Sequence, residues 1–116
     1  MSEKASKQIV SILRKIMEAL VRKDYLFIES ESLAGRLSAA EIETAIRDYG
    51  GNITPIPDDI LEQLEVIPLE NTENPTWFID LDLWINSKQS DLTLSMEVVR
   101  DNTGKLIANI LDLHVL

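Results

Sequence analysis

Residues 77–85 are Trp77-Phe78-Ile79-Asp80-Leu81-Asp82-Leu83-Trp84-Ile85, with an apolar residue at every second position. Because successive side chains of a β-strand point to opposite faces of the sheet, this pattern predicts a strand with one face in the core. The side chains predicted to face the core are Trp77, Ile79, Leu81, Leu83 and Ile85. The opposite face then carries Phe78, Asp80, Asp82 and Trp84.

Further strands are predicted on both sides of this one. Residues 91–100 repeat the alternation, with predicted inward side chains at Leu92, Leu94, Met96 and Val98. Residues 105–116 form the last predicted strand, whose more apolar face holds Ile107, Leu111, Leu113 and Val115. Turns are predicted at residues 86–90 and 101–104, and a short strand at residues 64–69. Links this short predict an antiparallel meander.

Helical signals lie upstream of the predicted strands. Apolar residues recur at helical spacing between residues 5 and 23 and predict a first amphipathic helix. Ser38 and Glu41 form a capping-box sequence that starts a helix at residues 39–49, and Gly50-Gly51 supplies its stop. Residues 24–37 are compatible with a continuation of the first helix or with a separate second one. A loop is predicted at residues 52–59, with Asp58 or Asp59 capping a short helical turn.

These elements predict one α+β domain spanning residues 1–116. The helical part covers about residues 5–64 and the sheet part about residues 65–116. The N-terminal helices are expected to pack on one face of a C-terminal antiparallel meander of three to four strands.

Composition limits the function classes. The chain has no cysteine, which excludes disulfides, thiolate metal sites and a cysteine nucleophile. No apolar run approaches the roughly 20 residues of a membrane span, and no signal-peptide pattern is present, so we expect a cytoplasmic protein with no membrane partner.

The net charge of −9 is unevenly distributed along the chain. Residues 1–25 carry six bases and three acids, whereas the remaining residues carry five bases and 17 acids. A negative field of this size repels nucleic acid and attracts basic proteins. We therefore expect a basic protein partner and no nucleic-acid partner.

The second face of the predicted sheet is the candidate site. Its acids, aromatics and single histidine are typical of a protein-binding surface with aromatic anchors, although they also suit a pocket mouth or an ordinary solvated face. The predicted partner-binding residues are Phe78, Asp80, Asp82, Trp84, Asp91, Glu97, Asp112 and His114.

Catalysis is weakly supported by the same residues. Asp80 and Asp82 have the spacing of a carboxylate pair, and Asp112 and His114 that of an Asp–His pair, but alternate strand positions are polar on any solvated face. Ser95 is a nucleophile candidate only because it faces the same side of the predicted sheet as Asp112 and His114. No phosphate loop or metal-spaced histidine pair is present, so we expect neither an enzyme nor a bound cofactor or metal.

Residues 37–116 resemble an uncharacterised family of small bacterial domains. Ser90-Asp91-Leu92-Thr93-Leu94 and Asp112-Leu113-His114-Val115-Leu116 are similar to its SDLTL…DxHVL ending, and residues 37–50 resemble its central LTxEEIxxAIxxYG helix. By type, the chain also resembles the immunity proteins of contact-dependent growth inhibition and related bacterial toxin systems. That resemblance implies a small acidic protein that occludes a basic toxin domain, frequently a nuclease.

Two alternatives remain open beside this immunity hypothesis. One is a ligand-binding domain shaped like nuclear transport factor 2, with a sheet pocket lined by Trp84, Asp82, Asp112 and His114. The other is a structural protein that forms a homodimer through the sheet face. The sequence is compatible with a monomer or a homodimer.

Overall fold

The protein folds into a layer of helices packed against one antiparallel sheet. The computed structural model describes residues 2–31 and 37–115. The helices within them are α1 (Lys7–Arg22), α2 (Tyr25–Glu31), α3 (Ala39–Tyr49) and α4 (Asp58–Glu62). The strands are β1 (Glu3–Lys4), β2 (Ile53–Thr54), β3 (Glu65–Pro68), β4 (Thr76–Ile85), β5 (Lys88–Arg100) and β6 (Leu106–Val115).

The sheet has the order β1-β3-β4-β5-β6, and β2 pairs with β4 beside β3. All the pairings are antiparallel, so β3 to β6 form a four-stranded meander. The predicted α+β class, with helices before the meander, is confirmed.

The core lies between the helices and the inner face of the sheet. Ile79, Leu81 and Leu83 are buried there, as predicted from their alternation in β4. The apolar stripe of α1 packs against them through side chains that include Ile9 and Leu13. Apolar burial of this kind stabilises the layer packing by about 1.5–3 kcal/mol for each large side chain.

The first helix ends at a definite point, which settles the alternative left open for residues 24–37. The Ser6 side chain accepts a hydrogen bond from the Ile9 amide and caps the start of α1. Lys23 has a φ of 62°, a left-handed conformation that ends the helix. Asp24 then accepts a hydrogen bond from the Phe27 amide, and α2 begins as a separate helix. Residues 32–36 of this segment lie outside the described residues.

The predicted helix at residues 39–49 is confirmed together with its cap. The Ser38 hydroxyl accepts a hydrogen bond from the Glu41 amide at 3.2 Å, and the Glu41 carboxylate accepts one from the Ser38 amide at 3.1 Å. Gly50 follows with a φ of 93°.

The prediction for the faces of β6 is wrong in its first half. Asp112 pairs with Ser95, but Ile110 pairs with the next residue, Met96, so Leu111 is an extra residue in a β-bulge. Ala108 and Ile110 consequently lie on the core side, where Ile107 and Leu111 had been predicted. A bulge moves the residues on one side of it to the opposite face of the sheet, but the alternation within each half of the strand continues. The apolar pattern alone therefore could not show the position of the bulge. The predicted end of this strand, Leu116, lies outside the described residues.

Three smaller boundaries also differ from the prediction. The turn at residues 86–90 is confined to Asn86 and Ser87, and β5 already begins at Lys88. The predicted loop at residues 52–59 contains β2. Neither Asp58 nor Asp59 caps α4; both lie in its first turn after Pro57.

Candidate functional site

The candidate site is the outer face of the sheet, which we define as the side of β4, β5 and β6 turned away from the helices. Cross-strand pairing arranges it in rows across the three strands. The rows are Phe78–Glu97–Asn109, Asp80–Ser95–Asp112 and Asp82–Thr93–His114. Apolar side chains of all four helices are buried in the core on the opposite side. The sheet therefore brings together six of the eight predicted site residues: Phe78, Asp80, Asp82, Glu97, Asp112 and His114.

Two of the carboxylates are held in place by the central strand β5. The Thr93 hydroxyl donates to Asp82 Oδ1 at 2.8 Å, and the Gln89 amide donates to Asp82 Oδ2 at 3.0 Å. The Ser95 hydroxyl donates to Asp80 Oδ1. Thr93 is 0% exposed, and Ser95 is also buried, so these donors are fixed beneath the surface. Each carboxylate has about four acceptor positions, which leaves acceptor capacity for a partner.

Asp112 and His114 lie close together at the end of β6. His114 Nδ1 is 3.1 Å from Asp112 Oδ2, but the orientation does not make a hydrogen bond, and Nδ1 is inaccessible to solvent. Asp112 Oδ1 accepts a hydrogen bond from the Leu113 amide at 2.9 Å. Ser95, the nucleophile considered above, donates its proton to Asp80 and not to His114.

The two aromatic residues lie towards opposite ends of β4. Phe78 is partly exposed and pairs with Ile67 of β3, which is 45% exposed. Trp84 is partly buried, packs against the core and pairs with Thr54 of β2. The acids thus lie between an apolar patch of Phe78 and Ile67 and a more firmly packed Trp84.

Asp91 is engaged differently from the other predicted residues. Its carboxylate accepts a hydrogen bond from the Tyr49 hydroxyl at 2.7 Å, which ties the end of α3 to the start of β5. This hydrogen bond to Asp91 is the main cause of the raised pKa of Tyr49, since it stabilises the protonated phenol. Asp91 therefore has a structural contact that the sequence pattern did not indicate.

Sequence analysis missed the residues that hold the carboxylates. Thr93 and Ser95 stand at alternate positions of β5 directly opposite Asp82 and Asp80. The signal was present in the sequence, because hydroxyl residues on the acidic face of a central strand are suited to cross-strand hydrogen bonds. Gln89 could not be found this way. The pairing of β4 with β5 changes register between Asp82 and Trp84, and only this shift brings Gln89 within reach of Asp82.

Three cavities border the helical layer, and none of the three is lined by a predicted site residue. Two border α1 and the segment around β2, and the third lies between α1, α2 and β6. The hypothesis of a sheet pocket at Trp84, Asp82, Asp112 and His114 therefore stays a prediction. Within residues 2–31 and 37–115, no three histidine or acidic side chains are grouped as a metal site requires.

Comparison with known proteins gives one match. The model of a family described as "Domain of unknown function (DUF7668)" matches residues 17–116. Neither the curated proteins nor the solved structures contain a match to this chain. In the part of the chain that the structure describes, no helix combines the length and apolarity needed to cross a membrane.

Proposed function

The chain belongs to the DUF7668 family of domains of unknown function, and from the geometry of its outer sheet face we propose that it binds and occludes a basic protein partner. The observation that carries this proposal is the group of four acids, Asp80, Asp82, Glu97 and Asp112, arranged on one face with two of them held by hydrogen bonds. A solvated face needs polar residues, but it does not need their carboxylates fixed.

Fixed carboxylates favour binding to arginine and lysine. Side chains that are already ordered lose little conformational entropy when a partner docks. The planar guanidinium of arginine matches two carboxylate oxygens at once, so an oriented row of carboxylates selects for a partner with clustered arginines. The negative field of the molecule would also accelerate the encounter.

The apolar patch of Phe78 and Ile67 supplies an apolar anchor for the partner, which the outer-face acids cannot provide. Large apolar side chains near the centre of an interface slow dissociation, whereas charged pairs chiefly affect association. Phe78 lies directly opposite Glu97, so an apolar anchor and an acid are adjacent in the same row. This arrangement suits a partner with an apolar side chain beside its basic residues.

The partner class that we propose is the basic nuclease domain of a bacterial toxin, with this chain as its cytoplasmic immunity protein. A nuclease active site is lined by cations that contact phosphates. The acidic outer face would cover those cations and exclude the nucleic acid. No catalytic step by this chain is required, and it acts as a binding protein, not as an enzyme.

The charge component is tested with a purified basic nuclease domain of a bacterial toxin, taken from the neighbouring gene if that gene encodes one. We expect Asp80→Asn/Asp112→Asn to lower the association rate constant about fivefold to tenfold at low salt. The control is Glu18→Gln/Asp48→Asn, which removes the same charge from exposed positions on α1 and α3. An association rate that both variants lower equally, or that does not fall with added salt, would refute a role for this face. Absence of binding to that domain would refute the proposed partner.

The anchor component is tested by dissociation kinetics. We expect Phe78→Ala to raise the dissociation rate at least about 30-fold, which corresponds to the roughly 2 kcal/mol of a hot-spot residue. Trp84 is less suitable because it also packs against the core. Leu26→Ala on α2 is the control, since Leu26 is 72% exposed and lies on the helical layer. An unchanged dissociation rate for Phe78→Ala would place the interface elsewhere.

A further inference from the structure

A cavity of about 450 Å³ lies between the helical layer and the last strand, on the opposite side of the sheet from the acidic face. Its apolar lining includes Ile12 and Ile16 of α1, Phe27 of α2, and Leu106 and Ala108 of β6. The volume falls in the range of about 300–1,000 Å³ that is usual for small-molecule sites.

The charged groups that line this cavity are cationic, in contrast to the molecule as a whole. Lys15 of α1 and Lys105, just before β6, both line it and are both exposed. No carboxylate is among the described residues that line it, although the chain carries nine more negative than positive charges. The apolar interior and the cationic rim come from different elements, so the fold brings them together.

Neither lysine is neutralised by an ion pair within the described residues. Asp101 is an acid on which the charge of Lys105 acts, but its pKa is lowered mainly by a hydrogen bond from the Thr103 hydroxyl and least by that charge. Asp101 Oδ1 also accepts hydrogen bonds from the amides of Thr103 and Lys105. Among the described residues Asp101 forms no ion pair with Lys105, so the Lys105 ammonium remains available to a ligand.

We propose that this cavity binds a medium-chain fatty acid. The alkyl chain occupies the apolar interior between α1, α2 and β6, and the carboxylate lies at the rim with the ammonium groups of Lys15 and Lys105. Charge complementarity favours a carboxylate over an uncharged or cationic amphiphile. The site is independent of the proposed partner-binding face, so the failure of either one leaves the other intact.

The wild-type protein is tested by calorimetric titration with octanoate, decanoate and dodecanoate, each below its micelle concentration. We expect affinity to rise about fourfold for each added methylene until the cavity is full, since each buried methylene contributes about 0.8 kcal/mol. Decanol and decyltrimethylammonium are the matched uncharged and cationic probes, and we expect both to bind more weakly than decanoate. Equal binding of the three head groups, or no binding of any carboxylate, would overturn the proposal.

Variants locate the site. We expect Lys15→Gln/Lys105→Gln to weaken decanoate binding about fourfold to 25-fold, because each exposed ion pair contributes up to about 1 kcal/mol. Lys4→Gln/Lys88→Gln removes the same charge from β1 and β5 and should leave the affinity unchanged. Ala108→Leu should occupy part of the cavity and weaken the binding of decanoate. If that variant does not fold, amide NMR shifts of the wild type on adding decanoate decide the location: shifts outside α1, α2 and β6 would overturn the assignment.

Discussion

Gly51 shows how a single residue joins the helical layer to the sheet. Both Gly50 and Gly51 have positive φ, at 93° and 84°, which fits the predicted helix stop. A Cβ on Gly51 would lie 2.5 Å from Ile85 Cγ2, whereas a Cβ on Gly50 would meet nothing within 4 Å. Gly51 is therefore needed for close approach to β4 as well as for its backbone conformation.

This difference predicts unequal costs for the two alanine substitutions. Gly50→Ala should lower the free energy of unfolding by about 1–3 kcal/mol through backbone strain alone. Gly51→Ala should cost a further 1–3 kcal/mol or so, because Ile85 must move. Urea denaturation followed by circular dichroism measures both, and equal losses would contradict the close approach.

Ser38 gives a second test at the scale of one residue. Its hydroxyl and the Glu41 carboxylate satisfy two amides at the start of α3. Ser38→Ala should therefore lower the free energy of unfolding by about 1 kcal/mol. Ser11→Ala is the matched control on the exposed face of α1, where alanine is the better helix former and no loss is expected. A loss of the same size for Ser11→Ala would mean that capping is not the cause.

At the scale of elements, β6 depends on its bulge. Because Leu111 bulges out of the ladder, Ile110 and Leu113 both face the core while Asp112 stays on the outer face. If Leu111 instead took a regular paired position, the alternation would continue through it and the two halves of the strand could not both bury their apolar side chains. The bulge thus keeps Asp112 in the same outer-face row as Asp80, with Ser95 of β5 between them.

Two single-residue deletions in β6 test this account. Deleting Leu111 removes the bulge and keeps every other residue on its face, so stability should stay within about 1 kcal/mol of the wild type. Deleting Leu113 moves His114 opposite Leu94, into the core, and should cost at least about 3 kcal/mol. Thermal and urea unfolding compare the two, and a greater loss for the Leu111 deletion would be contrary to the register described.

Long elements and caps were predictable because their signals are local. The alternation in β4 and the capping box at Ser38 each specify a structure within a few residues of sequence. The two-residue strands β1 and β2 could not be predicted, since they exist only through pairing with β3 and β4. Most of the site followed from the face of β4, whereas the tie between Asp91 and Tyr49 depends on where α3 ends against the sheet.

For the whole molecule, the charge distribution implies a cost in stability. Asp80 and Asp112 flank Ser95 in one row, with Asp82 in the next, so like charges lie on the two strands that flank β5. Like charges at a separation of about 10 Å, two strand spacings, repel each other weakly, and a bound cationic partner would relieve that repulsion. A face retained at a cost to stability is typical of a functional surface.

Neutralising this row should therefore make the free protein more stable. Asp80→Asn/Asp112→Asn should raise the free energy of unfolding by about 0.5 kcal/mol at low salt, and the gain should shrink as salt screens the repulsion. Glu18→Gln/Asp48→Asn should give no gain, because Glu18 stands four residues from both Arg14 and Arg22 on α1. Urea unfolding at two salt concentrations is the measurement, and equal gains for both variants would show only a general charge effect.

Trp77 gives the molecule a natural reporter of the order in which it folds. Its Nε1 donates to Glu3 Oε1 at 2.8 Å across a separation of 74 residues, whereas the hairpin of β4 and β5 closes over a two-residue turn. Loop-closure entropy delays contacts that are distant in the chain, so β1 should join the sheet after the meander has formed. In a Trp84→Phe background, stopped-flow refolding should show Trp77 fluorescence lagging behind the circular dichroism of the sheet. Glu3→Gln should alter the late fluorescence phase and leave the earlier phase unchanged.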